Sequence, residues 1–292
     1  MARSDPFAFA TTAAEQLIKG LGIASLPIDP IAIARGRDIE VVAKPIEDAG
    51  VSGMLVRVGN NFAIAYATHL QNEGFEHFSV SHELGHYFLP GHAEAVITGD
   101  TGAHTSRAGY VSPDKYEMEA DRFAAGFLMP RHLFFPALEK AGVGLAAVES
   151  LSSLCKTSMH ATAIRFAQCS RDAVAIVISQ GGVIDHCFMS ESLKQISGID
   201  WLKKHEGVPR NTPTFAFNQV RTNVQHSARV SEASNLQDWF GGHRSIEISE
   251  DILGLGRYGK TLTVLYDINV PEPEDEEDEK ALVESWTPRF KR

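Results

Sequence analysis

The chain has 292 residues, a hydrophobic content of 43%, a charged content of 22% and a formal net charge of −10. These proportions are those of a globular protein and exclude a chain that is disordered throughout. An acidic chain is also a poor nonspecific binder of polyanions, so nucleic-acid binding would require a local basic patch.

The sequence contains no feature that predicts export or membrane insertion. No uncharged apolar run approaches the roughly 20 residues needed to span a bilayer, and the first residues lack the continuous apolar stretch of a secretory signal. The three cysteines are too few and too dispersed for a disulfide scaffold or a cysteine-based zinc module. We therefore expect a cytoplasmic protein with no membrane contact.

The first region, residues 1–130, mixes helical and strand patterns. Asp29 and Pro30 have the residue types of a helix N-cap and first helical position. Gly59-Asn60-Asn61 separates two strand-like runs, as in a β-hairpin. The elements predicted here are helices over 13–21 and 30–36, a strand over 39–46, hairpin strands over 54–58 and 62–67, a helix over 75–89, a loop over 93–113 and a helix over 112–128.

Two further regions and a tail follow. Residues 131–170 are predicted to be helical, and a turn at 156–158 gives them the helix-turn-helix shape of some DNA-binding proteins. Only His160 and Arg165 on the second of these helices could read bases or phosphates. Residues 171–270 are predicted to form an α+β domain, and the acidic residues 271–292 a disordered tail. Within 171–270 we predict strands over 173–179, 183–190 and 261–268 and a helix over 196–204.

The sequence His82-Glu83-Leu84-Gly85-His86 is an HExxH motif inside the helix predicted over 75–89. Residues four apart share one face of a helix, so that both imidazoles can reach one metal ion. Zinc with an open coordination position lowers the pKa of bound water to about 7. Glu83 would take the proton from this water and deliver it to the leaving amine.

A third ligand is expected from the helix predicted over 112–128. Glu117 and Asp121 are four residues apart and project from one face of that helix. Glu117 would complete the metal site, and Asp121 would accept a hydrogen bond from the outer nitrogen of a zinc-bound imidazole.

Two other residues compete with Glu117. His92 has the spacing of the third histidine in HExxHxxGxxH zinc enzymes, although Leu89 occupies the position at which those enzymes need glycine. Glu119 lies on the other side of the helical turn from Glu117. Gly85 and Gly126 fall inside the two helices, and we interpret both as points where these helices approach closely.

These residues together resemble a known family. The runs HFSVSHELGHYFL and EMEADRFAAGFLMP are similar to those of the ImmA/IrrE bacterial metallopeptidases, and the match is specific over about residues 10–130. Residues 131–270 resemble IrrE in arrangement only. The resemblance implies an α+β chain with a zincin-like metallopeptidase domain, a helix-turn-helix-like middle and a sensor-like C-terminal α+β domain.

The resemblance also implies a site and a function. Zinc would be bound by His82, His86 and Glu117, with Glu83 as the catalytic base. The substrate would be a partner protein, a helix-turn-helix transcriptional repressor whose cleavage induces stress-response or mobile-element genes. The alternative is a noncatalytic metal-binding regulator that acts on DNA or a protein through the helical middle. Because a structural zinc site has four protein ligands and no use for a base, Glu83 favours the enzyme.

Two expectations concern the substrate. A donor to the substrate carbonyl is needed, and the candidates are His104, Arg107 and Tyr110. The peptide is expected to lie along an edge strand, which we predict to be the strand beginning at Phe62, where Ala63 and Ala65 leave room for its backbone.

Overall fold

A computed structural model describes residues 7–45, 50–69, 71–97, 102–107, 114–242 and 245–269. The chain is mixed α and β, as predicted, and divides into two compact units between Ser170 and Arg171. The acidic tail and Tyr110 lie outside the described residues. Within the described part of the chain, no helix is both long enough and apolar enough to cross a membrane.

The first unit contains a four-stranded sheet and eight helices among its described residues. Its elements are α1 (Ala8–Gly20), α2 (Pro30–Arg35), β1 (Glu40–Lys44), β2 (Val51–Val58), β3 (Asn61–Ala67), α3 (Glu73–Phe88), α4 (His92–Val96), β4 (Ala103–Arg107), α5 (Lys115–Leu128), α6 (Arg131–Ala141), α7 (Gly144–Cys155) and α8 (Met159–Cys169).

The sheet has the order β1-β3-β2-β4. The predicted hairpin is confirmed, because β2 and β3 pair antiparallel with Val58 opposite Asn61. The prediction that the strand at 62–67 is an edge strand is wrong. β1 pairs parallel with β3 on its other side, so β3 is interior and the edges are β1 and β4.

The segment 93–113 is not entirely loop, contrary to the prediction. It contains most of α4 and all of β4, which pairs antiparallel with β2. The sequence Ala-His-Thr-Ser-Arg of β4 has neither apolar alternation nor β-branched enrichment. Its strand conformation therefore depends on hydrogen bonds from β2, which a local pattern does not reveal.

Helix α3 lies at the centre of this unit. The side chain of Asn72 caps its N-terminus by accepting a hydrogen bond from the Phe75 N–H at 3.0 Å. The helix packs on β2 and β3 and also on α5. A Cβ on Gly85 would lie 3.1 Å from the Cα of Ala120, so this glycine allows the close approach of α3 and α5 that was predicted.

Gly126 has a different partner from the one predicted. A Cβ at this position would lie 2.8 Å from the backbone oxygen of Thr11, which belongs to α1. Gly126 thus brings α5 against α1 rather than against α3. Helix α5 is therefore held from two sides, and its orientation relative to α3 is fixed by backbone-to-backbone approach.

The helices α6, α7 and α8 pack on one another, and Lys156, in the left-handed conformation, ends α7 at the predicted turn. Arg165 does not face solvent. It is buried, its Nε donates to the backbone oxygen of Met129 at 2.9 Å, and its guanidinium is paired with Glu15. This side chain is therefore not available to contact DNA phosphates.

The second unit contains a five-stranded antiparallel sheet of order β6-β5-β9-β8-β7. Its elements are β5 (Ala175–Gln180), β6 (Val183–Met189), α9 (Glu191–Lys194), α10 (Pro213–Gln219), α11 (Arg221–Gln225), β7 (Arg229–Asn235), α12 (Leu236–Phe240), β8 (Glu247–Gly254) and β9 (Thr261–Tyr266), with a 3-10 turn over Gly256–Tyr258.

The predictions within 171–270 were only partly correct. The three predicted strands correspond to β5, β6 and β9, whereas β7 and β8 were not predicted. The helix predicted over 196–204 is wrong. Gly198 has a φ of 77° there, and Ile196, Ile199 and Leu202 pack on the core of the unit from a chain of turns. Their apolar spacing reflects this packing and not a helical period.

Candidate metal centre

Three predicted side chains from two helices converge in the first unit. His82 and His86 extend from α3, and Glu117 extends from the first turn of α5. The two imidazole Nε2 atoms are 3.1 Å apart, and the Glu117 carboxylate oxygens lie 3.4 Å from Nε2 of His82 and 3.2 Å from Nε2 of His86. Each residue offers one ligand atom to a group that could hold a metal ion.

These distances fit a zinc ion. Zinc ligands lie at about 2.0–2.1 Å in a tetrahedron, so any two of them are about 3.3 Å apart. The two Nε2 atoms are 3.1 Å apart, and the nearest Glu117 oxygens, Oε2 to His82 at 3.4 Å and Oε1 to His86 at 3.2 Å, are also close to that value. A set of two imidazoles and one carboxylate is also a donor set that zinc accepts in catalytic sites, with the fourth position open. The residues present therefore fit the metal.

Asp121, one turn after Glu117 on α5, lies beside the His82 ring. Its carboxylate oxygen is 2.9 Å from Nδ1 of His82, so that an Nδ1–H donates to the carboxylate and Nε2 points toward Glu117. Burial lowers the pKa of His82, but Asp121 and Glu117 outweigh it and raise that pKa to about 10. Although burial opposes it, contacts with His104, His82 and His86 hold the pKa of Glu117 below its ordinary value.

Glu83 is fully buried, and neither of its carboxylate oxygens has a hydrogen-bond partner among the described residues. Burial raises the pKa of this carboxyl above its ordinary value and outweighs the charge of His82 and the nearby Ser106 hydroxyl, which is not aligned for a full hydrogen bond. The room for the side chain comes from β2, because a Cβ on Gly53 would lie 2.5 Å from Oε1 of Glu83. A buried carboxylate without a partner is costly for stability and is usually explained by function.

His104 is the candidate carbonyl donor that lies at this site. From the edge strand β4, its Nε2 reaches to 2.9 Å from the Glu117 carboxylate without the alignment of a hydrogen bond. Its ring centroid is 4.7 Å from that of His86. Arg107 lies at the exposed end of β4. Of the three candidates, His104 is the one that the described residues bring to the cluster.

His92 and Glu119 do not join the three converging ligand atoms. His92 is buried, and its Nε2 is 2.7 Å from the carboxylate of Glu119. Its other ring nitrogen, Nδ1, is 3.4 Å from Nδ1 of His86. The two competitors of Glu117 thus pair with each other on the outer side of His86. Burial lowers the pKa of His92.

Sequence reasoning missed the contribution of β2 and the pairing of His92 with Glu119. Gly53 carried a signal, because a glycine inside a strand pattern often marks a close approach of another group. The pairing had no sequence signal, since its members come from α4 and α5 and meet only through the tertiary fold.

A comparison with models of protein families shows which family the first unit resembles. Residues 34–167 match the family model Peptidase_M78, the IrrE N-terminal-like domain. These residues therefore form a domain of the ImmA/IrrE type. The matched range contains the whole His82, His86 and Glu117 cluster, and the match supports a metallopeptidase.

Among solved structures, the chain is similar in fold to a Mycobacterium tuberculosis transcriptional regulator. The TM-score is 0.57 at 15% identity, and the match covers 89% of this chain and 76% of the other. This identity is low enough that the likeness concerns the fold alone. No curated protein matches the sequence.

Proposed function

We propose that the chain is a zinc-dependent endopeptidase of narrow specificity that cleaves a cytosolic transcriptional repressor. The observation that carries the proposal is the buried carboxylate of Glu83, whose oxygens have no well-aligned hydrogen-bond partner among the described residues, beside three converging ligand groups. A structural metal site needs no such group, whereas hydrolysis needs a base next to the metal.

His82, His86 and Glu117 would hold the zinc ion. When bound, zinc supplies a Lewis acid that polarises the scissile carbonyl and acidifies a water molecule. Asp121 holds the His82 ring with Nε2 directed at the centre, through its contact at 2.9 Å with Nδ1. An oriented imidazole of this kind makes a stronger and more precisely placed ligand.

Glu83 acts as the general base and then as the general acid. Burial raises the pKa of this carboxyl above its ordinary value, which makes it a stronger base. The proton moves from the attacking water to Glu83 and from Glu83 to the amine that leaves. His104 lies on the Glu117 side of the centre, where it would donate to the oxygen of the substrate carbonyl.

The substrate lies along β4 in extended form. This strand is an edge of the sheet and carries His104, so a peptide that adds to it passes the centre. The strand that begins at Phe62, β3, cannot take this role, because it is hydrogen-bonded to β1 on one side and to β2 on the other.

The assignment of a repressor as the substrate rests on the family resemblance. The resemblance to ImmA/IrrE peptidases implies a partner repressor as substrate, and the similar M. tuberculosis protein is described as a transcriptional regulator. The induced genes would be those of a stress response or of a mobile element. The alternative of a DNA-binding regulator is weakened by the inward position of Arg165.

The test compares the wild-type chain with Glu83→Gln. Each is incubated with zinc and a set of candidate helix-turn-helix repressors, and new protein termini are sequenced. We expect one or a few repressors to be cut by the wild type and none by Glu83→Gln. Zinc content should be equal in the two proteins, because the substitution removes the base and keeps the ligands. Equal cleavage by both proteins would refute the assignment of Glu83.

A further inference from the structure

The residues behind His86 form a buried chain of contacts that the catalytic roles above do not use. Nδ1 of His86 is 3.4 Å from Nδ1 of His92, and Nε2 of His92 is 2.7 Å from the Glu119 carboxylate. The His92 side chain is 2% exposed and the Glu119 side chain 12%. The ring of Tyr116 packs edge-on against His92, with a centroid distance of 5.0 Å.

The protons of this chain can be placed by elimination. A carboxylate only accepts hydrogen bonds, so Nε2 of His92 carries a proton that it donates to Glu119. The neutral ring of His92 then has a lone pair on Nδ1, and this lone pair accepts from Nδ1–H of His86. The remaining lone pair of His86 is therefore on Nε2, which is the atom that faces His82 and Glu117.

We propose that Glu119, acting through His92, positions His86 and fixes it in the tautomer that can bind the metal. This inference rests on the proposed function, because it assigns a purpose to residues around the same centre. His92 and Glu119 are positioning residues, since neither touches the three ligand atoms.

The second histidine of the site, His82, is also held by a carboxylate on the side away from the metal ligands. Asp121 accepts directly from Nδ1 of His82, at 2.9 Å, and leaves Nε2 of that ring free to bind. Both histidines are thus held by carboxylates from α5, the helix that also supplies Glu117. The contact to His82 is direct, whereas the contact to His86 passes through one additional imidazole. The site is oriented from a single helix.

The test measures the zinc dissociation constant of the full chain by competition with a chromogenic chelator. The variants are His92→Phe, which keeps a ring against Tyr116 but removes both nitrogens, and Glu119→Gln, which keeps the shape of the side chain. Asp121→Asn is the benchmark for direct loss of an outer carboxylate. His77→Phe is the matched control, because it replaces another buried histidine, on α3, by the same residue.

We expect His92→Phe to bind zinc about 10–100-fold more weakly than the wild type, in the range of Asp121→Asn. Glu119→Gln should also weaken binding, because its amide can donate to His92 and so favour the wrong tautomer. Both variants should still bind one zinc at saturation, and His77→Phe should match the wild type. Imidazole ¹⁵N spectra of the wild type should show His92 protonated on Nε2 and His86 on Nδ1.

Affinities of His92→Phe and Glu119→Gln equal to that of the wild type would overturn the proposal, as would a His92 ring protonated on Nδ1. Loss of zinc from His92→Phe even at saturation would also overturn it, because His92 would then be a ligand. If His92→Phe does not fold, Glu119→Gln and the spectra decide. A wild type that binds no zinc would refute the proposed function itself, so the two failures are distinguishable.

Discussion

Glu83 can occupy its buried position only because residue 53 has no side chain. A Cβ on Gly53 would meet Oε1 of Glu83 at 2.5 Å and its Cγ at 3.1 Å. A side chain at position 53 would therefore displace the proposed base, Glu83, and would leave the metal-binding residues in place. The glycine is therefore part of the site although it carries no functional group.

We expect Gly53→Ala to keep zinc and lose most of its cleavage activity. A displacement of about 1 Å in a reacting group can cost about 100-fold in rate, and we expect a loss of that order in kcat/KM. Cleavage of a repressor substrate and metal analysis would measure the two effects. Gly20→Ala is the control, because a Cβ there meets nothing within 4 Å. Wild-type turnover in Gly53→Ala would show that Glu83 is not confined in this way.

At the level of residues, the spacing within a helix carried most of the predictive information. His82 and His86 share a face of α3, and Glu117 and Asp121 share a face of α5, as the four-residue intervals indicated. The outer neighbours could not be predicted in this way. The partner of His86 is His92, from a different helix, and that helix exists only as one short turn after Gly91.

Among the elements, β4 is the edge strand along which the substrate is proposed to bind, and its polar sequence did not predict a strand. Arg57 donates its backbone N–H to the oxygen of Gly102, so strand alternation turns the N–H of Thr105 away from β2. Thr105 is exposed. Its N–H is therefore free of the β2 ladder and is placed to bind an added peptide strand.

We expect Thr105→Pro to reduce kcat/KM for a cleavable peptide by about fivefold, because one main-chain hydrogen bond contributes about 1 kcal/mol. Zinc content should not change, since the β2–β4 ladder does not use this N–H. Thr105→Ala is the matched control, because it removes the side chain and keeps the N–H. If Thr105→Pro and Thr105→Ala cleave equally well, the substrate does not add to β4.

The elements that were predicted wrongly share a physical cause. Parallel pairing with β1 has no local signature, so the sequence of 62–67 does not show that this strand is interior. The polar sequence of β4 makes 93–113 resemble a loop. Both errors concern which strand lies beside which. Patterns of apolar residues report the face that an element buries, whereas its neighbours in the sheet depend on the whole chain.

In the whole molecule, the candidate metal ligands all lie in one of the two compact units. Zinc that binds only the folded form stabilises it by about 2.7 kcal/mol at 100 times the dissociation constant. We expect added zinc to slow amide hydrogen exchange in α3 and α5 and to leave β5–β9 unchanged. Mass spectrometry of proteolytic fragments measures this. Equal protection of both units would mean that the metal acts on the chain as one cooperative body.

The zinc content of the purified chain tests the central claim most directly, with Glu117→Ala beside the wild type. The three ligand atoms predict one zinc per wild-type chain and a loss of zinc from Glu117→Ala. Glu94→Ala, which removes an exposed carboxylate from α4, serves as the control and should retain the metal. A Glu117→Ala chain that keeps a full equivalent of zinc would contradict the site and the function proposed from it.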